Sequence, residues 1–397
     1  MKCLELKKNL FYVGVIDHAL KVFDVAVLTA YGTSYNSYVL KTSEGAVVFE
    51  GNKAKFEDEY IEHIKAITPI EKIKYLVVTH TEPDHSGAIE SLLKLNQEIT
   101  VVASYGALLN LEKITRMTFK KIQMVPDGKL KVGEYTFRFV SGLLLHWPDV
   151  MFTYIEELKT LISCDAFGAH FASDSILLSK EIDKKGYYDA FSYYYAHIME
   201  PFPAYVLAAC ERVKKLDIDM ICPGHGPVVD SSIKEQIALY ESLAKADLPV
   251  NDINHVTIVY ASAYGYTKGM ATYLADRFLK DGKKVSLYEI DAINYGKEKA
   301  HIIRDIQTSG MVLLGSPTLV GDAICLFYDI LSSIYWTVGQ GKKASAFGDY
   351  GWSGEAVKNL SERLSQLHFT VIPGFRYNFK LDEEGNKELA AYYETLK

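Results

Sequence analysis

Short apolar runs recur along the chain, and two rhythms of apolar and polar positions follow one another. In the first, strand-like runs at 22–27, 37–40 and 45–50 precede a helically spaced segment at 56–66. An uninterrupted apolar run at 75–78 predicts a buried strand, 99–103 predicts another, and 135–140 reads as a strand. Residues 108–114 have helical spacing, and 152–155 with 158–163 predict a hairpin turning at Glu156 and Glu157. A helical pattern covers 187–216, a strand follows at 218–222, and a helix spans about 232–246. Many strands followed by helices predict an α/β layered sandwich.

A polar stretch containing Pro249, at 246–252, reads as a linker. Beyond it, strands at 255–261, 284–290, 310–316, 343–348 and 369–372 alternate with helices at 267–281, 297–308, 322–338, 353–366 and 382–396. That alternation predicts a doubly wound parallel sheet. Two domains, 1–250 and 251–397, suit a chain of 397 residues, since single cores stop growing at about 250–300 residues.

Composition narrows the function. A net charge of −7 without basic runs argues against nucleic acid as a partner. The sequence has no apolar run long enough for a membrane span and no apolar signal segment near its start, so a cytoplasmic location is expected. Cys3, Cys164, Cys210, Cys222 and Cys325 form no C-x-x-C pair, which fits reduced thiols and leaves no fused iron–sulfur module.

The strand at 75–78 empties into a loop carrying His80, Glu82, Asp84 and His85. Imidazoles and carboxylates so close together suit borderline to hard divalent ions. Three more strand ends carry His146, Asp165 and His225. Any one of these histidines alone would more often be structural; the recurrence at strand ends points to a metal centre. His170, Tyr195 and His197 are candidates for hydrogen bonds to the ligands.

The pattern His80-x-Glu82-x-Asp84-His85, followed by His146, Asp165 and His225, resembles the metallo-β-lactamase fold and, within it, the flavodiiron proteins. Hydrolases of that fold usually carry histidine where this chain has Glu82. A carboxylate there hardens the site and favours redox-active iron over zinc. The resemblance implies two irons: His80, Glu82 and His146 on one, Asp84 and His225 on the other, and Asp165 bridging. His85 is a further candidate ligand of the second iron, although its counterpart in the family is not always bound to metal.

After the first strand of the second domain comes Ser262-Ala263-Tyr264-Gly265-Tyr266-Thr267 and then a helix. A hydroxyl-bearing, glycine-containing loop at a helix N-terminus is a phosphate seat. It lacks the P-loop lysine and the dinucleotide glycine pattern, which favours a monophosphate. It is similar to the flavodoxin FMN-phosphate loop at Ser262, Gly265 and Thr267. Two further strand-end loops fit the same cofactor. One is Ser316-Pro317-Thr318-Leu319; the other is Gly348-Asp349-Tyr350-Gly351-Trp352-Ser353-Gly354, where Tyr350 or Trp352 would stack on the flavin.

The resemblance implies a cytoplasmic oxidoreductase that reduces O2 to water, NO to N2O, or both. FMN would receive electrons from a separate donor such as rubredoxin or a reduced deazaflavin. Domains of these sizes have radii of gyration of about 18 and 15 Å, so the two sites of one chain could lie far apart. A head-to-tail homodimer, or a dimer of dimers, would bring one chain's FMN to its partner's irons. The alternative is a zinc-dependent hydrolase of the metallo-β-lactamase fold with an appended flavodoxin domain. A non-enzymatic electron carrier would leave the metal-ligand set without a purpose.

Overall fold

The computed structural model describes residues 3–248 and 250–397; Pro249, in the predicted linker, lies outside the described residues. The chain divides into two compact units, Met1–Leu248 and Pro249–Lys397.

The first unit stacks two sheets. One has the strand order Leu4–Lys7, Leu10–Tyr12, Tyr38–Thr42, Gly45–Phe49, Ile73–Val78, Thr100–Ala103, Lys120–Gln123. The other runs Lys129–Val132, Tyr135–Ser141, Met151–Ile155, Thr160–Cys164, Met220–Pro223. The strand Ile73–Val78 shows how sequence builds the layering. Val77 enters the core between the sheets, with Phe49, Val102, Phe137 and Ile162. Leu76 and Val78 pack the other way, against Tyr60, Ile64, Leu92 and Leu111 of the covering helices. Successive strand residues face opposite sides, so a strand covered on both faces reads as an unbroken apolar run. The second sheet repeats the logic. Phe137, Phe139 and Ile155 face inward, while Val140, Phe152 and Leu161 face the helices Lys184–Tyr194, Pro203–Val213 and Ile233–Ala246. The result is a helix–sheet–sheet–helix sandwich.

The second unit is a parallel sheet with the strand order Lys284–Glu289, Asp252–Tyr260, Ser309–Gly315, Lys343–Tyr350, Thr370–Val371. In chain terms this is the flavodoxin-like order 2-1-3-4-5. Val259, Val312 and Ala346 meet one helix layer, and Ile258, Leu313 and Phe347 meet the other. No described helix is long and apolar enough to cross a membrane.

Four sequence expectations change in detail. The run at 22–27 is two short strands, Val22–Phe23 and Val27–Leu28, because Asp24 and Val25 turn at positive φ. The helix expected over 187–216 ends at Tyr194, passes through a wide turn at Tyr195–Met199, and restarts at Pro203. Pro201 and Pro203 remove the amides a continuous helix would need. The helix expected over 322–338 is two pieces, Cys325–Ser332 and Trp336–Gly339. The last strand is also split, with Thr370–Val371 and Phe375–Asn378 both pairing with Lys343–Tyr350 around Pro373.

Candidate functional site

The metal-type residues sit on loops anchored to the sheets of the first unit. Thr79 donates its N–H to Glu50 Oε1 at 2.9 Å, and its carbonyl accepts from Met151 at 2.9 Å, which ties the loop to both sheets. Pro83 opens the short helix Pro83–Ser86, where its missing N–H costs nothing. That turn presents Asp84 and His85 side by side. Leu144, Cys164 and Phe167 take positive φ beside His146 and Asp165, strain of about 1–2 kcal/mol each that surrounding contacts must hold. His225 is flanked by glycines. A Cβ on Gly224 would lie 2.5 Å from His85 Cε1, so only glycine lets this loop pass the His85 ring.

The side chains converge in two sets. In the first, Glu82 Oε2 lies 3.2 Å from His80 Nε2 and 2.9 Å from His146 Nε2. Asp165 Oδ2 lies 3.4 and 3.5 Å from the same nitrogens. In the second, Asp84 Oδ2 is 3.1 Å from His225 Nε2 and 3.7 Å from His85 Nε2. Asp165 Oδ1 is 3.5 Å from His225 Nε2 and 2.9 Å from His85 Nε2. The two oxygens of Asp165 therefore face different sets.

These spacings test whether metals fit. First-row divalent ions bind such donors at about 2.0–2.2 Å, which separates neighbouring donors by roughly 3.0–3.5 Å. Most of the observed separations fall in or near that range. Asp84 Oδ1 and Asp165 Oδ2 are buried without a hydrogen-bond partner, and burying a carboxylate so is costly unless something else satisfies it. The donor set and the orphaned oxygens both fit a pair of ions.

The metal-free electrostatics agree. Burial alone would lower His80, yet hydrogen bonds with Asp149 and Glu82 and the charge of Asp165 push it up to about 10. His85 is likewise held well above its ordinary value, by Asp84 and Asp165 against the pull of burial. Burial favours the neutral form of Glu82, Asp84 and Asp165, but the facing imidazoles outweigh it and hold all three below the ordinary range. The inner nitrogens are aimed by bonds on the outer side of each ring. His80 Nδ1 meets Asp149 Oδ1 at 3.3 Å, and His225 Nδ1 meets the Ser34 carbonyl at 2.6 Å.

The predicted supporting residues divide. His170 is buried against His225, ring centroids 5.0 Å apart, with Thr33 Oγ1 at 2.9 Å from Nδ1 and no partner on Nε2. It also lines a mostly apolar cavity of about 270 Å³ with Thr29, Tyr31 and Ala190. Tyr195 faces Tyr240 instead, centroids 5.1 Å apart, and Tyr194 takes the place beside His170 and His225. Neighbouring helical residues point about 100° apart, so one residue changes the wall. His197 is exposed, stacked on Tyr193 and bonded to its carbonyl, away from the ligands. Sequence reading passed over Asp149 and Asp24. Burial and a hydrogen bond with Glu82 push the Asp24 carboxyl up to about 6; a charged residue inside an apparent strand was the available signal.

In the second unit, the three predicted loops lie at the C-terminal ends of the strands ending at Tyr260, Gly315 and Tyr350. The last of these strands runs two residues further than expected, so Gly348–Tyr350 close the strand and the loop proper starts at Gly351. Gly265 caps the helix Tyr266–Lys280 at φ 90° and has open space on its Cβ side. Ser262 Oγ accepts from Gly265 N–H at 3.0 Å and from Lys268 N–H at 3.2 Å. Ser316 Oγ accepts from Ile324 N–H, and Thr318 Oγ1 from Ala356 N–H. A Cβ on Gly348 would lie 1.8 Å from the Ser316 carbonyl oxygen, so glycine is required where these two loops cross. Tyr350 carries the Arg376 guanidinium over its ring at 5.6 Å, whereas Trp352 is 86% exposed and free to stack. The open space beside Gly265 and the exposed Trp352 fit a flavin mononucleotide.

Comparison with known proteins covers both units. A family described as ODP family beta lactamase matches residues 33–226, and one described as flavodoxin matches 258–393. The chain is 32% identical to the flavo-diiron protein FprA2 of Clostridium acetobutylicum over 100% of this chain and 99% of that one. It is 29% identical to a nitric oxide reductase of Moorella thermoacetica, over 92% of this chain and 90% of that one. Among solved structures it is similar to the rubredoxin oxygen:oxidoreductase of Desulfovibrio gigas, with 27% identity, TM-score 0.65, and 99% and 97% of the two chains covered. The layered fold, the paired donor sets and these likenesses agree, and the chain belongs to the flavodiiron proteins, a family of oxidoreductases.

Proposed function

We propose that this protein reduces O2 to water, NO to N2O, or both, at an iron pair in the first unit, with electrons supplied through FMN in the second. The observation that carries the reading is Asp165, whose two oxygens face two separate donor sets. His80, Glu82 and His146 would hold one iron, Asp84 and His225 the other, with His85 beside it and Asp165 shared. Bound iron supplies binding and reduction of the diatomic molecule, and bound FMN supplies electrons.

The chain's own residues do the rest. Asp149 and the Ser34 carbonyl fix the outer nitrogens of His80 and His225, which keeps each inner nitrogen aimed. The rings of Trp147, Phe23, Tyr35 and Tyr194 wall the ligands and limit water. Both reductions consume protons. Asp24 lies at the surface with its part-buried carboxyl bonded to Glu82, and so stands between solvent and the ligands. Ser262, Ala263, Tyr264, Gly265, Tyr266 and Thr267 would seat the FMN phosphate. The loops at Ser316–Leu319 and Gly348–Gly354 would hold the ring, with Trp352 stacking and the Asp349 side chain turned instead toward Thr267.

The reading includes a separate donor, rubredoxin or a reduced deazaflavin, and a cytoplasmic setting consistent with five free cysteines. It also includes a head-to-tail homodimer, alone or paired into a tetramer. Tyr264, Val320 and Trp352, at the flavin loops, are 82%, 95% and 86% exposed, apolar surface that a partner chain would cover.

The test is anaerobic turnover of iron- and FMN-loaded protein with a reduced donor, following O2 consumption and N2O formation. Failure with both gases refutes the reading, and two bound zincs with thioester or lactam hydrolysis would establish the hydrolase instead. Full activity in a monomer would refute the dimer.

A further inference from the structure

The FMN-phosphate seat already holds an anion of the protein's own. The first-turn amides of a helix have no partner within the helix, and a phosphate on them is stabilised by those donors and by the helix dipole. In the helix Tyr266–Lys280 the Thr267 N–H donates to Asp349 Oδ1 at 3.1 Å, and the Thr267 hydroxyl donates to the same oxygen. Asp349 is only 8% exposed and comes from the end of Lys343–Tyr350, so it reaches this turn from another flavin loop. Its main chain is locked. Its carbonyl accepts from Thr318 N–H at 2.9 Å, and Gly348 before it is packed onto the Ser316 carbonyl. The Asp349 N–H also donates to Thr267 Oγ1 at 3.4 Å, so rotation of the side chain releases the Thr267 N–H and hydroxyl proton while that backbone contact stays.

From this we infer that Asp349 competes with the FMN phosphate for Thr267, so that FMN binds by displacing a carboxylate and its affinity is held below what the loop would otherwise give. The inference rests on the reading of this unit as an FMN domain. The chemistry is direct. The Thr267 hydroxyl has one proton, which cannot serve Asp349 and a phosphate oxygen together. A phosphate monoester carries a charge of about −1.5 to −2 at pH 7 and would enter beside a carboxylate. Lys268, the next residue, pairs with Glu289 at 2.7 Å, and turning toward a phosphate would give up that pair. The Ser262 oxygen is already accepting two amides, which leaves it only its own proton to offer. Loop and helix thus favour phosphate, and one side chain opposes it.

Riboflavin separates the phosphate from the ring, because it shares the isoalloxazine and lacks the anion. Full-length apoprotein is titrated with FMN and with riboflavin, following quenching of flavin fluorescence, for wild type, Asp349→Asn and Asp349→Ser. Asparagine keeps the shape and can still accept from Thr267 without the charge; serine removes the competing acceptor. Both variants are expected to bind FMN at least fivefold more tightly than wild type and riboflavin within twofold of it. Inorganic phosphate should compete with FMN at lower concentration in the variants. Unchanged or weaker FMN binding in whichever variant folds, as judged by circular dichroism, overturns the inference and makes Asp349 a support of the cradle. Equal tightening for riboflavin also overturns it. A wild-type protein that binds neither flavin overturns the FMN reading itself, and this inference with it.

Discussion

Replacing Asp149 with asparagine tests how the His80 ring is held. Asp149 Oδ1 lies 3.3 Å from His80 Nδ1, and both side chains are buried. In the metal-free protein, burial lowers the imidazole but Asp149, Glu82 and Asp165 raise it from 6.5 to about 10. At about 1.4 kcal/mol per unit, the stabilisation still expressed at pH 7.5 is about 3 kcal/mol. Shared among three carboxylates, the part owed to Asp149 is about 1–2 kcal/mol. The sign follows from the raised value: this stability is complete below the unfolded pKa of about 6.5 and is lost as pH climbs through about 10. At about 2–4 °C per kcal/mol for a unit of this size, Asp149→Asn should lower the apoprotein Tm by about 2–8 °C at pH 7, and by less at pH 9. Metal affinity should fall by about 10–100-fold, the usual cost of losing such an outer partner. Calorimetry of the apoprotein at both pH values and chelator competition with ferrous or cobaltous ion measure both effects. A Tm difference that ignores pH, with metal affinity within twofold of wild type, would refute the role.

Asp165→Asn should leave each chain with at most one tightly bound iron and no magnetic coupling between irons, as read by metal analysis and Mössbauer spectroscopy. Loading the apoprotein with metal should release at least one proton, because His80 keeps its proton up to about 10 when no metal is bound. Affinity should therefore rise by about tenfold per pH unit between roughly pH 6 and 9, which indicator-dye titration would follow. Gly348→Ala places a carbon 1.8 Å from the Ser316 carbonyl oxygen. It should spread the flavin loops, destabilise the second unit by about 1–3 kcal/mol or more, and lower bound FMN measured by absorbance.

Three of the four ligand loops were legible because they follow strands with a buried apolar run, whereas His146 follows the alternating strand Tyr135–Ser141. Leu76, Val77 and Val78 announce the loop that carries His80. The supporting residues were less legible, because their partners are fixed by tertiary packing. Nothing near Asp149 in sequence shows that its loop folds onto His80, sixty-nine positions away. Asp24 sat inside an apparent strand until a positive-φ turn carried it to Glu82. Tyr195 was expected at the ligands and Tyr194 is there, a difference of one helical step that periodicity alone does not resolve near a wide turn. In the second unit, the strand–loop–helix rhythm gave the flavin loops, while the bond between Thr267 and Asp349 joins loops eighty-two positions apart.

The parallel pairing of Thr160–Cys164 with Met220–Pro223 has a consequence for how the protein is made. Those strands are joined through helices, so their contacts close late and slowly compared with the hairpins of the same sheet. His225 follows that last strand, whereas Asp165 follows a strand already held by a hairpin. Completion of the second donor set is therefore tied to the long crossover between residues 164 and 220, and substitutions that weaken this pairing should disturb the His225 position before the Asp165 one.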